Sequence, residues 1–217
     1  MSEALFNNNQ ARVIAALDEK SLTTPQNYPL TVNSLVSACN QKSCRKPVMN
    51  LSEGAVGAAL TDLEARGFCR RDESSSRAVK WRHQFNHQML LQLPTQALLV
   101  TLMLRGPQTV AELRSNAEGL KGPASTDEVL AHLELLTDRA EPLICKLPRA
   151  SGQKEDRYVQ LLCGTPDLDA LATESAAAAS SQQGSRSGGL SELLERIEAL
   201  EARVNQLEGH QGTSTSA

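Results

Sequence analysis

"TVNSLVSACNQKSCRKPVMNLSEGAVGAALTDLEARG" occupies residues 31–67, and its reading decides the fold. Two amphipathic segments flank a polar, basic stretch, "NQKSCRKPVMN", that carries a proline. In the first segment Leu35, Val36 and Cys39 share one side. In the second, Val56, Leu60 and Leu63 recur at helical spacing. Ser52 stands four residues before Val56, where its hydroxyl can accept from the free amides of a helix start. The stretch is therefore two helices joined by a turn. Upstream, Val13, Ile14 and Leu17 predict a helix over Gln10–Glu19. Downstream, "FCRR" and "AVKWRHQF" alternate across the polar "DESSSR", which predicts a hairpin. Three helices followed by a hairpin is the winged-helix plan, a form of helix-turn-helix.

The pattern occurs twice. "TVNSL" at Thr31 matches "TVAEL" at Thr109, an offset of 78 residues. Val56, Leu60, Leu63 and Arg66 match Val129, Leu133, Leu136 and Arg139 at an offset of 73, so one loop is shorter in the second copy. Ser125 stands four residues before Val129 and is followed by Glu128, the pattern of a capping box. A helix over Thr95–Arg105 precedes this copy, with Leu98, Leu99 and Leu102 in phase, and "PLICKLP" and "DRYVQLL" form its hairpin. The expected fold is mainly α with small β-hairpin wings: winged-helix domains at 1–92 and 93–165.

Residues 166–189 read as a flexible linker, rich in Ala, Ser and Gly. Beyond it, Leu190, Leu193, Ile197, Leu200, Val204 and Leu207 recur in steps of three and four, an a/d heptad seam over 190–208. Arg196 and Arg203 fall at g, with Glu201 and Glu208 at the following e, as in a parallel homodimer. The alternative is an amphipathic helix folded back on its own domain. Residues 209–217 are a polar tail, expected to be disordered.

Composition narrows the function. Aromatics are 3% of the chain, which suits small helical cores of Leu, Val and Ala. Five irregularly spaced cysteines and no apolar leader point to free thiols in the cytoplasm. No apolar run reaches the roughly 18 residues of a membrane span. The net charge of -3 hides a gradient: residues 1–92 hold 11 Lys/Arg against 8 Asp/Glu, whereas 166–217 hold 3 against 8. Contact with a polyanion would use the first section.

The stretches "TTPQNYPLTVNSLVSACNQK" and "RKPVMNLSE" resemble the YceH family of bacterial proteins. The resemblance continues through "LMLRG" at Leu102–Gly106, the "QT" at Gln108, "ELRS" at Glu112–Ser115 and "DRYVQLLCG" at Asp156–Gly164, and covers most of residues 10–165. It implies a tandem winged-helix fold and no assigned biochemical activity. The chain departs from the family pattern at "FNNNQARV", which is more polar than the family's start.

Candidate sites follow from charge and spacing. Cys39 and Cys44 lack the second short-spaced pair of a zinc site, and Cys69, Cys145 and Cys163 are scattered. His83 and His87 straddle the end of a predicted strand. With no Gly-rich phosphate loop, Gly-x-Ser-x-Gly or His-Glu-x-x-His, the reading is non-enzymatic, with no cofactor and no metal. The third helices are poor base readers. Glu53, Thr61 and Asp62 lie on the outer face of one; Asp127, Glu128, Glu134 and Asp138 lie on the other. Cations flank the first of them instead. Lys42, Arg45 and Lys46 occupy the loop before it, and Arg70, Arg71, Arg77, Lys80 and Arg82 the wing, with Trp81 in the core. These are the expected phosphate contacts of a DNA-associated regulator. The smooth face of Gly54, Gly57 and Ala58 supports the alternative, a protein-binding adaptor, because helical glycines are tolerated where another backbone approaches closely.

Overall fold

The computed structural model of the 217-residue chain describes residues 4–72, 78–149 and 155–167. The heptad seam at 190–208, nearly all of the linker and Arg77 lie outside the described residues. Helix α1 runs Asn8–Thr23, two residues ahead of the start that apolar spacing predicts. The cause is Asn7. Its side chain accepts from the Gln10 amide at 2.9 Å, while the Gln10 side chain accepts from the Asn7 amide at 2.8 Å. The polar residues there build a capping box.

Strand β1 (Leu30–Thr31), helices α2 (Val32–Cys39) and α3 (Glu53–Ala65), and strands β2 (Cys69–Asp72) and β3 (Lys80–His83) follow. Thr31 and Ser52 are the N-caps of α2 and α3, as the spacing predicts. Helix α3 stops in a Schellman motif: Gly67 takes φ +75°, its amide reaches Glu64 O, and Phe68 N–H reaches Leu63 O at 2.8 Å. The strands form an antiparallel sheet in the order β1-β3-β2, with Leu30 and Arg71 on either side of Trp81. Trp81 is buried.

A short helix α4 (Phe85–Met89) leads into the second copy: α5 (Leu93–Arg105), α6 (Val110–Ala117), α7 (Thr126–Thr137), β4 (Ile144–Leu147) and β5 (Arg157–Gln160). Thr109 and Ser125 cap α6 and α7, each in a capping box with Glu112 or Glu128. The place of β1 is taken by a single antiparallel bridge between Gln108 and Tyr158. Each half is thus a winged-helix-like set of three helices and a hairpin.

Both halves fall within one compact unit, Met1–Pro166. Helices α1 and α5 pack together, with every residue from Gln10 to Asp18 and from Thr95 to Leu104 buried. A helix buried all round is the middle of a core. Main-chain bonds tie the halves as well: Phe6 N–H to Leu162 O and Lys46 N–H to Leu104 O, both at 2.8 Å.

Polar side chains inside this core shape it. Arg12 donates to Cys39 O at 3.1 Å and to Pro47 O at 2.7 Å, tying the end of α2 to the middle of the α2–α3 loop. Asn40 clamps the same loop by exchanging two hydrogen bonds with the Leu51 backbone. Arg45, expected among the phosphate contacts, turns inward instead. It is 5% exposed, binds both carboxylate oxygens of Glu19 on α1 and donates to Ala38 O. Its charge is spent on the loop, so it leaves the set of surface cations.

A second cluster joins α1, β3 and α5. Asp18 accepts from the Gln96 amide, and its carboxylate lies 3.4 Å from His83 Nδ1. His83 Nε2 is 3.2 Å from Ser21 Oγ, and the His83 amide donates to the Tyr28 hydroxyl at 2.7 Å. Asp18 Oδ1 and His83 Nδ1 make no hydrogen bond. Burial pushes the Asp18 carboxyl up to about 7 and the His83 imidazole down to about 4, so both are neutral between these values.

These clusters generate two predictions. A carboxyl raised in the folded state stabilises fully below the unfolded value near 4 and loses that contribution as pH rises toward about 7. Asp18→Asn keeps the acceptor for Gln96 and removes the ionisation. It should match wild type near pH 3.5 and exceed it by on the order of 4 kcal/mol at pH 8.5 in urea unfolding. Equal pH dependence in the two proteins would refute this. Arg45→Met should cost about 3 kcal/mol by removing both guanidinium hydrogen bonds of the largely buried Glu19 and leaving it only the longer contact to Lys20. Adding Glu19→Gln should recover part of that loss, which a double-mutant cycle measures directly.

Candidate nucleic-acid interface

The outer face of α3 has no cation to offer a base. Gly54, Ala58 and Thr61 are exposed, and Asp62 accepts from Gln10. Arg66 at the helix end folds back toward the chain start. It donates to Leu5 O at 2.6 Å and stacks over Phe6 and Phe68 at 5.2 and 5.3 Å. Helix α7 is similar: Glu128 closes its own capping box, His132 meets Thr95 at 2.9 Å, and Arg139 donates to Met89 O. The smooth face of α3 is open. A Cβ built on Gly57 would meet nothing within 4 Å, and one on Gly54 would meet only the Ser52 hydroxyl, at 4.0 Å. The second half therefore does not dock there.

The first hairpin sorts its charges by face. Strand register sets Arg70 opposite Arg82 and Asp72 opposite Lys80, and two-residue alternation puts all four side chains on one face of the sheet. Three cations there meet one carboxylate. Arg82 takes Asp72 and stacks over Tyr28 at 5.6 Å. Arg71 points to the other face, where it pairs with Glu64 at 3.1 Å and covers Trp81 at 5.2 Å. Arg70 is exposed, as are Lys42 and Lys46 in the α2–α3 loop. Lys80 lines a groove beside β1 and α2.

In the second hairpin Lys146, Arg149 and Arg157 each meet a carboxylate. Asp156 bridges Lys146 at 2.6 Å and Arg149 at 2.5 Å, and these cations hold its carboxyl down at about 2. Arg157 pairs with Glu112 at 3.0 Å and donates to Pro107 O.

The cysteines carry no visible chemistry. Cys39 and Cys69 are buried, and desolvation pushes their thiols up to about 12. Cys44 is exposed in the loop. Among the described residues no group of three or more His, Cys, Asp or Glu side chains is placed to hold a metal ion. Spacing along the chain missed one constellation, Ser21–His83–Asp18, because His83 lies 62 positions from Ser21 and joins the α1 pair only in the fold. It has the order of a nucleophile, base and orienting acid. However, the Ser21 hydroxyl donates to Asp18 O at 2.7 Å, and His83 is a weak base at its depressed value. The group acts as a joint between helices.

No helix among the described residues is long and apolar enough to cross a membrane. A family model described as "Protein of unknown function, DUF480" matches residues 6–153. A UPF0502 protein of Stenotrophomonas maltophilia (strain K279a) is 48% identical over 199 residues, covering 92% of this chain and 89% of that protein. UPF0502 proteins of Xanthomonas oryzae pv. oryzae (strain MAFF 311018) and Geobacter metallireducens are 46% and 45% identical, over 92% and 77% of this chain and 87% and 76% of theirs. The expected resemblance and the winged-helix-like halves thus converge: the chain belongs to the DUF480/UPF0502 family, which includes the YceH-type bacterial proteins.

Proposed function

We propose that this is a non-enzymatic, DNA-associated regulator that grips phosphates with the first half's loop and hairpin. The observation that carries the reading is the outer face of the first sheet, where Arg70, Lys80 and Arg82 oppose one carboxylate, with exposed Lys42 and Lys46 in the loop before α3. Phosphate contact needs charge and reach, without base-reading side chains on α3. Such binding would be weakly sequence-dependent and strongly salt-dependent. Pairing of two copies through the heptad seam belongs to the same reading, and the sequence pattern alone supports it.

A protein adaptor is the second reading. It is favoured by the open, small-residue face at Gly54, Gly57 and Ala58, which no described residue covers.

The test is fluorescence anisotropy on random duplex DNA at several salt concentrations. Wild type should bind at low salt with a linear log–log salt dependence. Changing Lys42, Lys46 and Arg70 to Glu should abolish binding, and single Lys→Gln changes should each lower the slope by about 0.9. Gly57→Leu should leave DNA binding intact. Failure of wild type to bind even at low salt would remove the DNA reading and favour the adaptor.

A further inference from the structure

The groove that Lys80 lines has a volume of about 450 Å³ and is framed by the C-terminal part of α1, the following turn, β1, α2 and β3. Its size falls within the roughly 300–1,000 Å³ of small-ligand sites. Lys20 reaches it from α1 and Lys80 from β3, while no Asp or Glu is among its described lining residues. It lies in the section of the chain that carries the surplus of cations, 11 Lys/Arg against 8 Asp/Glu over residues 1–92.

Both ammonium groups keep their charge for an outside partner, for a shared reason. Lys20 lies 3.5 Å from Glu19, but Glu19 is already held by both guanidinium nitrogens of Arg45. Lys80 stands opposite Asp72 in the sheet, but Asp72 is engaged by Arg82. Each carboxylate is thus shared by two cations, so among the described residues each group holds one more positive charge than negative. Lys20 is also held in place: its side chain is 17% exposed, and Nζ is 3.5 Å from Gln41 Oε1. Ser34 and Ser37 add hydroxyls along the α2 wall, above a floor that includes buried Leu30 and Ala38. One anchored ammonium group, a second on the facing strand, hydroxyls and a small apolar floor match a phosphate carried on a compact polyol such as a pentose.

We infer that this groove binds a pentose-phosphate unit, either free as a sugar phosphate or within a nucleic-acid backbone. The site does not depend on the DNA reading, because Lys42, Lys46 and Arg70 lie outside it.

The experiment titrates ribose 5-phosphate into the full chain by calorimetry at low salt, with ribose as control, and repeats the DNA titration on the same proteins. The variants are Lys20→Gln, Lys80→Gln and Ser37→Glu. The last keeps both lysines and adds an opposing charge from an exposed position, and thermal unfolding checks that all three fold. Saturable binding of ribose 5-phosphate but not ribose, weakened about tenfold or more by each variant, supports the site with a free ligand. Absence of small-molecule binding together with a severalfold loss of DNA affinity in all three variants supports it with a backbone phosphate. If neither probe responds to the variants, the groove inference is overturned, and loss of DNA binding on reversing Lys42, Lys46 and Arg70 would still stand. Ribose 5-phosphate binding by a chain that binds no DNA would remove the DNA reading and leave the groove.

Discussion

Helices α1 and α5 are buried on all sides, and the rest of the molecule is arranged to keep them so. A winged-helix half normally needs only one face of its first helix covered by its own sheet and helices. Here Gln10–Asp18 and Thr95–Leu104 are buried at every position, so each first helix completes the other's core. A helix with polar positions on its second face can be buried only if those groups find partners. Arg12 finds Cys39 O and Pro47 O, Asp18 finds Gln96, and Thr101 turns back to Ala97 O. The two halves are therefore halves of one core, and the surfaces each leaves outward are its α3- or α7-type helix and its hairpin.

That arrangement decides which charges remain available. Formal counting gives the first section a surplus of cations, but the residue type matters more than the count. Arg12, Arg45, Arg66, Arg71 and Arg82 each bind a carbonyl, a carboxylate or a ring within the protein. A planar guanidinium with five donors suits such fixed, partly dry sites, whereas an ammonium on a flexible stem stays hydrated. Exposed beside them are Lys42 and Lys46 in the α2–α3 loop and Arg70 in the hairpin. A surface built this way attracts polyanions by field rather than by bidentate recognition.

The parts of the fold legible in the sequence are those with local causes. Thr31, Ser52, Thr109 and Ser125 are caps because a hydroxyl before an apolar helical run has one favourable use. The hairpins were legible from alternation. Asn7 escaped because its capping box lies in a polar run that resembles a loop, and the two-residue β1 and five-residue α4 are too short for periodicity to register. Arg45 misled for a different reason. Nothing adjacent to it announces Glu19, which lies 26 positions upstream and one helix away. Its neighbours Lys42 and Lys46 are exposed, so composition alone treats the three alike. The Asp18–His83–Gln96 joint was hidden for the same cause, since it forms only when α1, β3 and α5 meet.

The two copies have diverged in electrostatics while keeping their geometry. In the second hairpin each of Lys146, Arg149 and Arg157 touches a carboxylate, the first two sharing Asp156 and the third taking Glu112. In the first, one carboxylate, Asp72, faces three cations on the same sheet face. A repeat whose only task was to support its partner would be expected to close its charges in this way, because an unpaired surface cation adds nothing to stability. The surplus in the first copy has no such structural use. Arg70 lies on an exposed strand position, and Lys80 lines a groove with no acid among its described lining residues. Charges that stabilise nothing within the chain are available to a partner, and in the first half Arg70 and Lys80 are two of them.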